Sequence, residues 1–164
     1  MMNKRRSFII GIKSYKLSSR EKKFLKLYKP WGVILFSRNI KSIKQCSILT
    51  NSIRDIFKDK FYPILIDEEG GKVSRLSKII NTSVFKAQFF GDLFLSNKTK
   101  FNTYSKVYIE QMSYLLKQMG ININTVPVLD VRRTKSNKII GSRSFSTNPK
   151  IVSKIGDIFI NLYQ

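Results

Sequence analysis

Residues 63–71 read PILIDEEGG. Ile64, Leu65 and Ile66 follow a proline with no polar position among them. A strand without alternation is apolar on both faces, the pattern of a strand buried inside a parallel sheet. The run stops at Asp67, and Glu68, Glu69, Gly70 and Gly71 come next. The chain has only 10 acidic residues against 31 basic ones, so three adjacent carboxylates at one strand end call for an explanation. In parallel α/β folds that end is where ligands bind.

Outward from this stretch, apolar strands alternate with helical segments. Ser7–Ile12 (SFIIGI) is a candidate first strand. Ser18 and Glu21 have capping-box spacing for a helix whose apolar face is Phe24, Leu25, Leu27 and Tyr28, ended by Pro30. Gly32–Phe36 (GVILF) is a second buried strand. Ser42 and Gln45 open a second helix, with Ile43, Cys46, Leu49, Ile53 and Ile56 at steps of three and four. Pro63–Ile66 is the third strand, and a loop region follows. A helix is predicted from about Asn102 to Met119, with Tyr104, Val107, Tyr108, Met112, Leu115 and Met119 as its stripe and Gly120 as C-terminal cap. Ile121–Val126 is a fourth strand, running into Pro127-Val128-Leu129-Asp130. Asn148-Pro149 starts the last helix, lined by Ile151, Ile155, Ile158, Phe159 and Leu162. The alternation predicts an α/β protein with a parallel sheet. Both an open doubly wound sheet and part of a (β/α)8 barrel fit. A whole barrel takes about 250 residues, so four strands in 164 residues correspond to half of one.

Composition narrows the chemistry. There is no histidine, which removes His-based triads and HExxH zinc sites from this chain. The lone cysteine, Cys46, permits no internal disulfide and reads as a small packing residue. The net charge is +21, but the basic residues are spread along the chain and the densest group, Lys4-Arg5-Arg6, sits at a terminus. That spread reads as compositional bias rather than a polyanion site, so nucleic acid is not the expected partner. No apolar run reaches about 18 residues and no small-residue cleavage site follows the basic N-terminus. The expectation is a soluble, cytoplasmic protein with no membrane partner.

Two constellations stand out. In the first, Asp67 can accept hydrogen bonds from a polyhydroxylated ligand, the glycine pair lets the backbone turn sharply, and Arg75 can neutralise the acids or grip ligand oxygens in a fork. The structural alternative is that Asp67, Glu68 and Glu69 cap the turn and pair with Lys72 and Arg75. The adjacent acids lack EF-hand spacing, and no metal is expected. The second runs from Asn137 to Ser146 and contains GSRSFS, a small-residue loop around Arg143. It can hold a ligand oxygen, or be a plain polar loop before the last helix.

In order along the chain, GVILFSRNI (32–40), PILIDEEGGKVSRL (63–76), INTVPVLDV (123–131) and IIGSRSFSTNP (140–149) resemble the N-terminal part of glycoside hydrolase family 3, and most nearly its bacterial β-N-acetylhexosaminidases of peptidoglycan recycling. The resemblance implies the N-terminal half of a (β/α)8 TIM-type barrel, with residues 1–164 as one partial catalytic domain whose C-terminal half is missing. It implies that Asp67, Arg75 and Arg143 contact the sugar, that Asp130 shapes the pocket, and that Glu68, Glu69, Gly70 and Gly71 set the loop. It also implies that the acid/base pair and the nucleophilic aspartate lie beyond Gln164, so no catalytic residue is expected in this chain, and no cofactor. The expected partners are an amino-sugar glycan and either a separately encoded C-terminal half or a second copy. The alternative is a non-catalytic binder of sugar or nucleic acid, and a truncated gene product is the simplest account of the length.

Overall fold

The computed structural model describes residues 5–133 and 139–164. The chain forms two compact units. The first comprises residues 5–67, Arg75–Ile79 and Leu115–Asn124; the second comprises Glu68–Ser74, Ile80–Tyr114 and the described residues from Thr125 to Gln164.

The first unit holds the sheet. Its strands are β1 (Arg6–Gly11), β2 (Pro30–Leu35), β3 (Ile64–Ile66) and β4 (Ile123–Asn124). They are ordered β1-β2-β3-β4, and every neighbouring pair is parallel. Val33, Leu35, Ile64 and Ile66 are fully buried, as unbroken apolar strands require. The crossover helices are α1 (Ser19–Tyr28) and α2 (Ile43–Phe57). Ser18 caps α1 with the full reciprocal box: its hydroxyl accepts from the Glu21 amide, and the Glu21 carboxylate accepts from the Ser18 amide. Ser42 accepts from the Gln45 amide at the start of α2, while Gln45 reaches back to the Lys41 amide. Both helices end on a left-handed lysine, Lys29 (φ 46°) and Lys58 (φ 50°), so α1 stops one residue before Pro30 and the proline opens β2.

Asn39 binds the strand ends together. Its side chain donates to the Ile12 and Ser14 carbonyls and accepts from the Phe36 amide, and it is completely buried. Thr50 on α2 donates to the Met119 carbonyl, and Arg54 donates to the Gly120 carbonyl at 2.7 Å. Gly120 has a φ of 72°, as its capping position requires, and a Cβ there would overlap the Thr50 hydroxyl.

Five expectations are corrected. On α1 only Leu25 is buried, whereas Phe24, Leu27 and Tyr28 are exposed; among the described residues no strand lies beyond β1. The segment after β3 is not all loop: it contains α3 (Ala87–Ser96). The following helix, α4, starts earlier than Asn102 and spans Lys98–Gln118, crossing from the second unit into the first. Its buried face is Phe101, Ser105, Tyr108, Ile109, Met112 and Leu116, with Met119 buried just past its end, while Tyr104 and Val107 point out. The fourth strand keeps only Ile123–Asn124 of Ile121–Val126.

The second unit is built on aromatic packing between α3, α4 and α5 (Pro149–Tyr163), which Asn148 caps by accepting from the Lys150 amide. Phe90 of α3 packs edge-on against Phe159 of α5 (centroids 5.1 Å), Phe159 against Phe145 (5.0 Å), and Phe90 lies 5.3 Å from Tyr108 of α4. Gly91 of α3 sits directly on the Phe145 carbonyl, where any Cβ would overlap it. Among the described residues no helix is long and apolar enough to cross a membrane.

Candidate functional site

The acidic cluster at the end of β3 resolves into three carboxylates with three different partners. In the first unit, Arg75 donates to the Asp67 carboxylate at 3.3 Å, with both side chains about a quarter exposed. The Arg75 guanidinium also lies over the Phe36 ring, 5.4 Å from its centroid, and Arg38 stacks on the same ring at 4.6 Å. Arg38 is held from behind by its bond to the Ile12 carbonyl. Two planar cations and a carboxylate thus gather at the carboxyl ends of β2 and β3, partly open to solvent. Such a set can bind vicinal hydroxyls, because the carboxylate accepts and the guanidinium forks donate.

In the second unit, Glu68 is the buried carboxylate, 1% exposed. The Ser74 and Thr82 hydroxyls both donate to it, which fixes the turn from inside. Gly70 (φ 76°) and Gly71 (φ 60°) make that turn in the left-handed region, where a Cβ is strained. There is no room for one either: at Gly70 it would meet the Phe85 carbonyl, and at Gly71 the Lys86 side chain. The turn is closed by Glu69 N–H to the Val73 carbonyl and Gly71 N–H to the Thr82 carbonyl.

Glu69 takes the third partner. Arg143 donates to both of its oxygens, through Nε and Nη2, each at 2.8 Å. This is the fork-to-fork pair with the strongest geometry available to these groups. Glu69 is 11% exposed and Arg143 25%. Arg143 lies in a single 3-10 turn (Gly141–Arg143), and the next residue anchors that turn: Ser144 donates to the Asp130 carbonyl at 2.6 Å and accepts from the Arg132 amide. Asp130 itself is exposed and enters this network through its backbone. Asn137 and Lys138, at the start of the second constellation, lie outside the described residues.

The sequence-chosen residues are therefore brought together in pairs: Asp67 with Arg75, and Glu69 with Arg143. The pairing with Arg75 was among the sequence alternatives. The pairing of Glu69 with a residue 74 positions away was not, because no local spacing encodes it. Arg38 and Phe36 were visible only as a polar strand end, and their stack under Arg75 needs the β2–β3 register to be known. Among the described residues no group of three or more Cys, Asp and Glu side chains is arranged to hold a metal ion.

The comparisons with known proteins agree on one family. The model for the glycosyl hydrolase family 3 N terminal domain matches residues 6–164. The chain is 32% identical over 140 residues to a beta-hexosaminidase A of Pseudoalteromonas piscicida, covering 79% of this chain and 22% of that protein. It is 28% identical over 152 residues to a beta-hexosaminidase of Xanthomonas campestris pv. campestris, covering 93% of this chain and 45% of that protein. Among solved structures, NagZ from Neisseria gonorrhoeae in complex with zinc ion superposes with a TM-score of 0.86 at 26% identity, over 97% of this chain and 47% of that one. The same protein in complex with N-trifluoroacetyl-D-glucosamine gives 0.85 at 25% identity, over 97% and 47%. The chain thus spans less than half the length of these relatives, and its parallel sheet with crossover helices is part of a TIM-barrel-type fold. On its motifs, its sheet and this match, the chain belongs to glycosyl hydrolase family 3 as an N-terminal domain.

Proposed function

We propose that this chain is the sugar-binding part of a β-N-acetylhexosaminidase-type glycoside hydrolase, acting on terminal N-acetylglucosamine of peptidoglycan fragments in the cytoplasm. The observation that carries the reading is the Asp67–Arg75 pair at the carboxyl end of β3, a partly exposed carboxylate and guanidinium suited to vicinal hydroxyls. Arg143, held by Glu69, is kept as a sugar-binding residue in this reading. A glycosidase of this kind needs a nucleophile and a proton donor on either side of the scissile bond. This reading leaves both groups to residues outside the 164, and hydrolysis requires the remainder of the enzyme.

The remainder also has a place to dock. At β1 and α1, Ile9, Phe24, Leu27 and Tyr28 are between 38% and 62% exposed beside an open strand edge. An apolar edge of that kind is covered in a stable protein. Further chain, covalently continuous or separately made, or a second copy fulfils that role. The pure 164-residue chain should therefore bind N-acetylglucosamine yet not release a chromophore from its aryl glycoside. Turnover by the chain alone, abolished by Asp67→Asn, would place the chemistry within these residues and overturn the assignment.

A further inference from the structure

The carboxyl ends of β1, β2 and β3 carry more positive charge than a neutral sugar calls for. In the first unit, the segments that follow these strands (residues 12–17, 36–41, and 67 with 75–79) hold Lys13, Lys16, Arg38, Lys41, Arg75 and Lys78 against one carboxylate, Asp67. Asp67 is engaged by Arg75. Glu21, at the start of α1, turns its carboxylate to the Lys13 and Ser18 amides. Surface lysines alone would follow from composition, but Arg38 is different. It is exposed yet fixed on two sides: Nε donates to the Ile12 carbonyl at 3.0 Å, and the guanidinium lies on the Phe36 ring, 4.6 Å from its centroid. A Cβ on Gly11 would come within 3.0 Å of Arg38 Nη2 and 3.1 Å of that ring, so the glycine at the end of β1 leaves the guanidinium its seat. Arg5, Arg75 and Arg143 each face a carboxylate, whereas among the described residues none pairs with Arg38. With Nε committed to a carbonyl, its two terminal nitrogens form a planar donor fork of the kind that matches a carboxylate.

Two lysines strengthen the field around it. The loop after β1 is stitched to the Arg38 turn: Asn39 donates to the Ser14 carbonyl, and Gln45 donates to the Tyr15 and Asn39 carbonyls. The Tyr15 hydroxyl in turn accepts from Lys78 at 3.0 Å. That bond and the Lys78 charge, with a smaller effect from Lys41, hold the Tyr15 phenol below its usual range. We propose that Arg38 is an anion subsite beside the Asp67–Arg75 pair, taking a carboxylate on the group attached to the sugar, with Lys41 and Lys78 raising the positive potential around it. The ligand is then an acidic glycoside rather than a neutral oligosaccharide. The inference rests on the sugar site proposed above and names the chemistry of what that sugar is joined to.

The test is calorimetry of the 164-residue chain with two aryl β-glycosides of N-acetylglucosamine, para-carboxyphenyl and para-carbamoylphenyl, which match in shape and differ in charge. The carboxylate ligand should bind about fivefold more tightly at low salt, the upper range for an exposed ion pair, and the preference should fade as ionic strength rises. Arg38→Gln should bring the ratio of the two affinities to about one, and Lys78→Gln should lower it by less. Equal binding of the two glycosides by the unmodified chain, or a preference that Arg38→Gln retains, would overturn the subsite and leave the sugar site standing. Binding of neither glycoside would overturn both. The ratio in the unmodified chain and its salt dependence decide the matter even where Arg38→Gln folds poorly.

Discussion

Removing the Glu69 carboxylate should destabilise the second unit through Arg143, and the structure sets the size. Two charge-assisted bonds of 2.8 Å are lost in Glu69→Ala. Each is worth about 1.5–3 kcal/mol when one partner is ionised. The full sum is not expected, since Arg143 is 25% exposed and regains water when its partner leaves. A loss of about 2 kcal/mol follows, well below the 3–5 kcal/mol typical of a fully buried pair. For a chain of this size that is a fall of about 4–8 °C in Tm. The informative assay is the double-mutant cycle with Arg143→Ala, followed by thermal or denaturant unfolding. The pair predicts a coupling of about 1–2 kcal/mol, because Arg143→Ala and the double variant lose the same contact. Additive effects within about 0.5 kcal/mol would refute the pairing and with it the claim that Glu69 orients Arg143.

Three other outcomes follow from particular contacts. Gly91→Ala should cost about 3 kcal/mol, since its Cβ overlaps the Phe145 carbonyl, whereas Gly141→Ala meets no atom and costs only the strain of its φ of 44°, about 1 kcal/mol; equal losses would show that α3 yields without resistance. Burial pushes the Cys46 thiol up to about 12, so an alkylating reagent should label it only on unfolding, and stoichiometric labelling of the native chain would contradict its place on the buried face of α2. Burial opposes ionisation of Glu21, but bonds from the Ser18 hydroxyl and the Lys13 and Ser18 amides outweigh it and hold the carboxyl below its usual range. A lowered folded pKa stabilises above the unfolded value and is lost as pH falls through the folded one. The Glu21→Gln variant should therefore be less stable at neutral pH, and the difference should shrink as the pH falls below the ordinary glutamate value and vanish once the folded carboxyl is itself protonated; a difference that persists in strong acid would assign the effect to packing.

Much of this fold is legible because local chemistry and tertiary structure agree. The Ser18–Glu21 box, the Ser42 cap and Asn148-Pro149 each mark a helix start to within a residue. The unbroken apolar runs Gly32–Phe36 and Pro63–Ile66 mark buried parallel strands, observed as Pro30–Leu35 and Ile64–Ile66. Helix α3 escapes such reading because Lys86 at its start makes no side-chain cap, and Gly91 in its middle lowers helix propensity. That glycine is there for the Phe145 carbonyl, a contact 54 residues away that no window of sequence contains. The α4 stripe was displaced for a related reason. Tyr104 and Val107 have the right spacing, but Phe101, Ser105 and Ile109 face the core, and helical periodicity alone does not choose between neighbouring faces.

The candidate site divides the same way. Asp67 and Arg75 are eight residues apart at one strand end, so their meeting could be anticipated. Glu69 and Arg143 meet only because two distant turns are held in register. One turn is held by Glu68 through Ser74 and Thr82, and the other by Ser144 through Asp130. The acidic cluster therefore holds one carboxylate open to solvent beside Arg75, one buried to fix the loop, and one engaged by a second arginine.

The role proposed for these residues is to bind an amino sugar without completing its hydrolysis. Titration calorimetry of the 164-residue chain with N-acetylglucosamine tests it most directly. Saturable heat is expected, abolished by Asp67→Asn and by Arg143→Ala, with no change in either variant's folded far-UV spectrum. No heat with the well-folded parent chain, or heat that both variants retain in full, would contradict it.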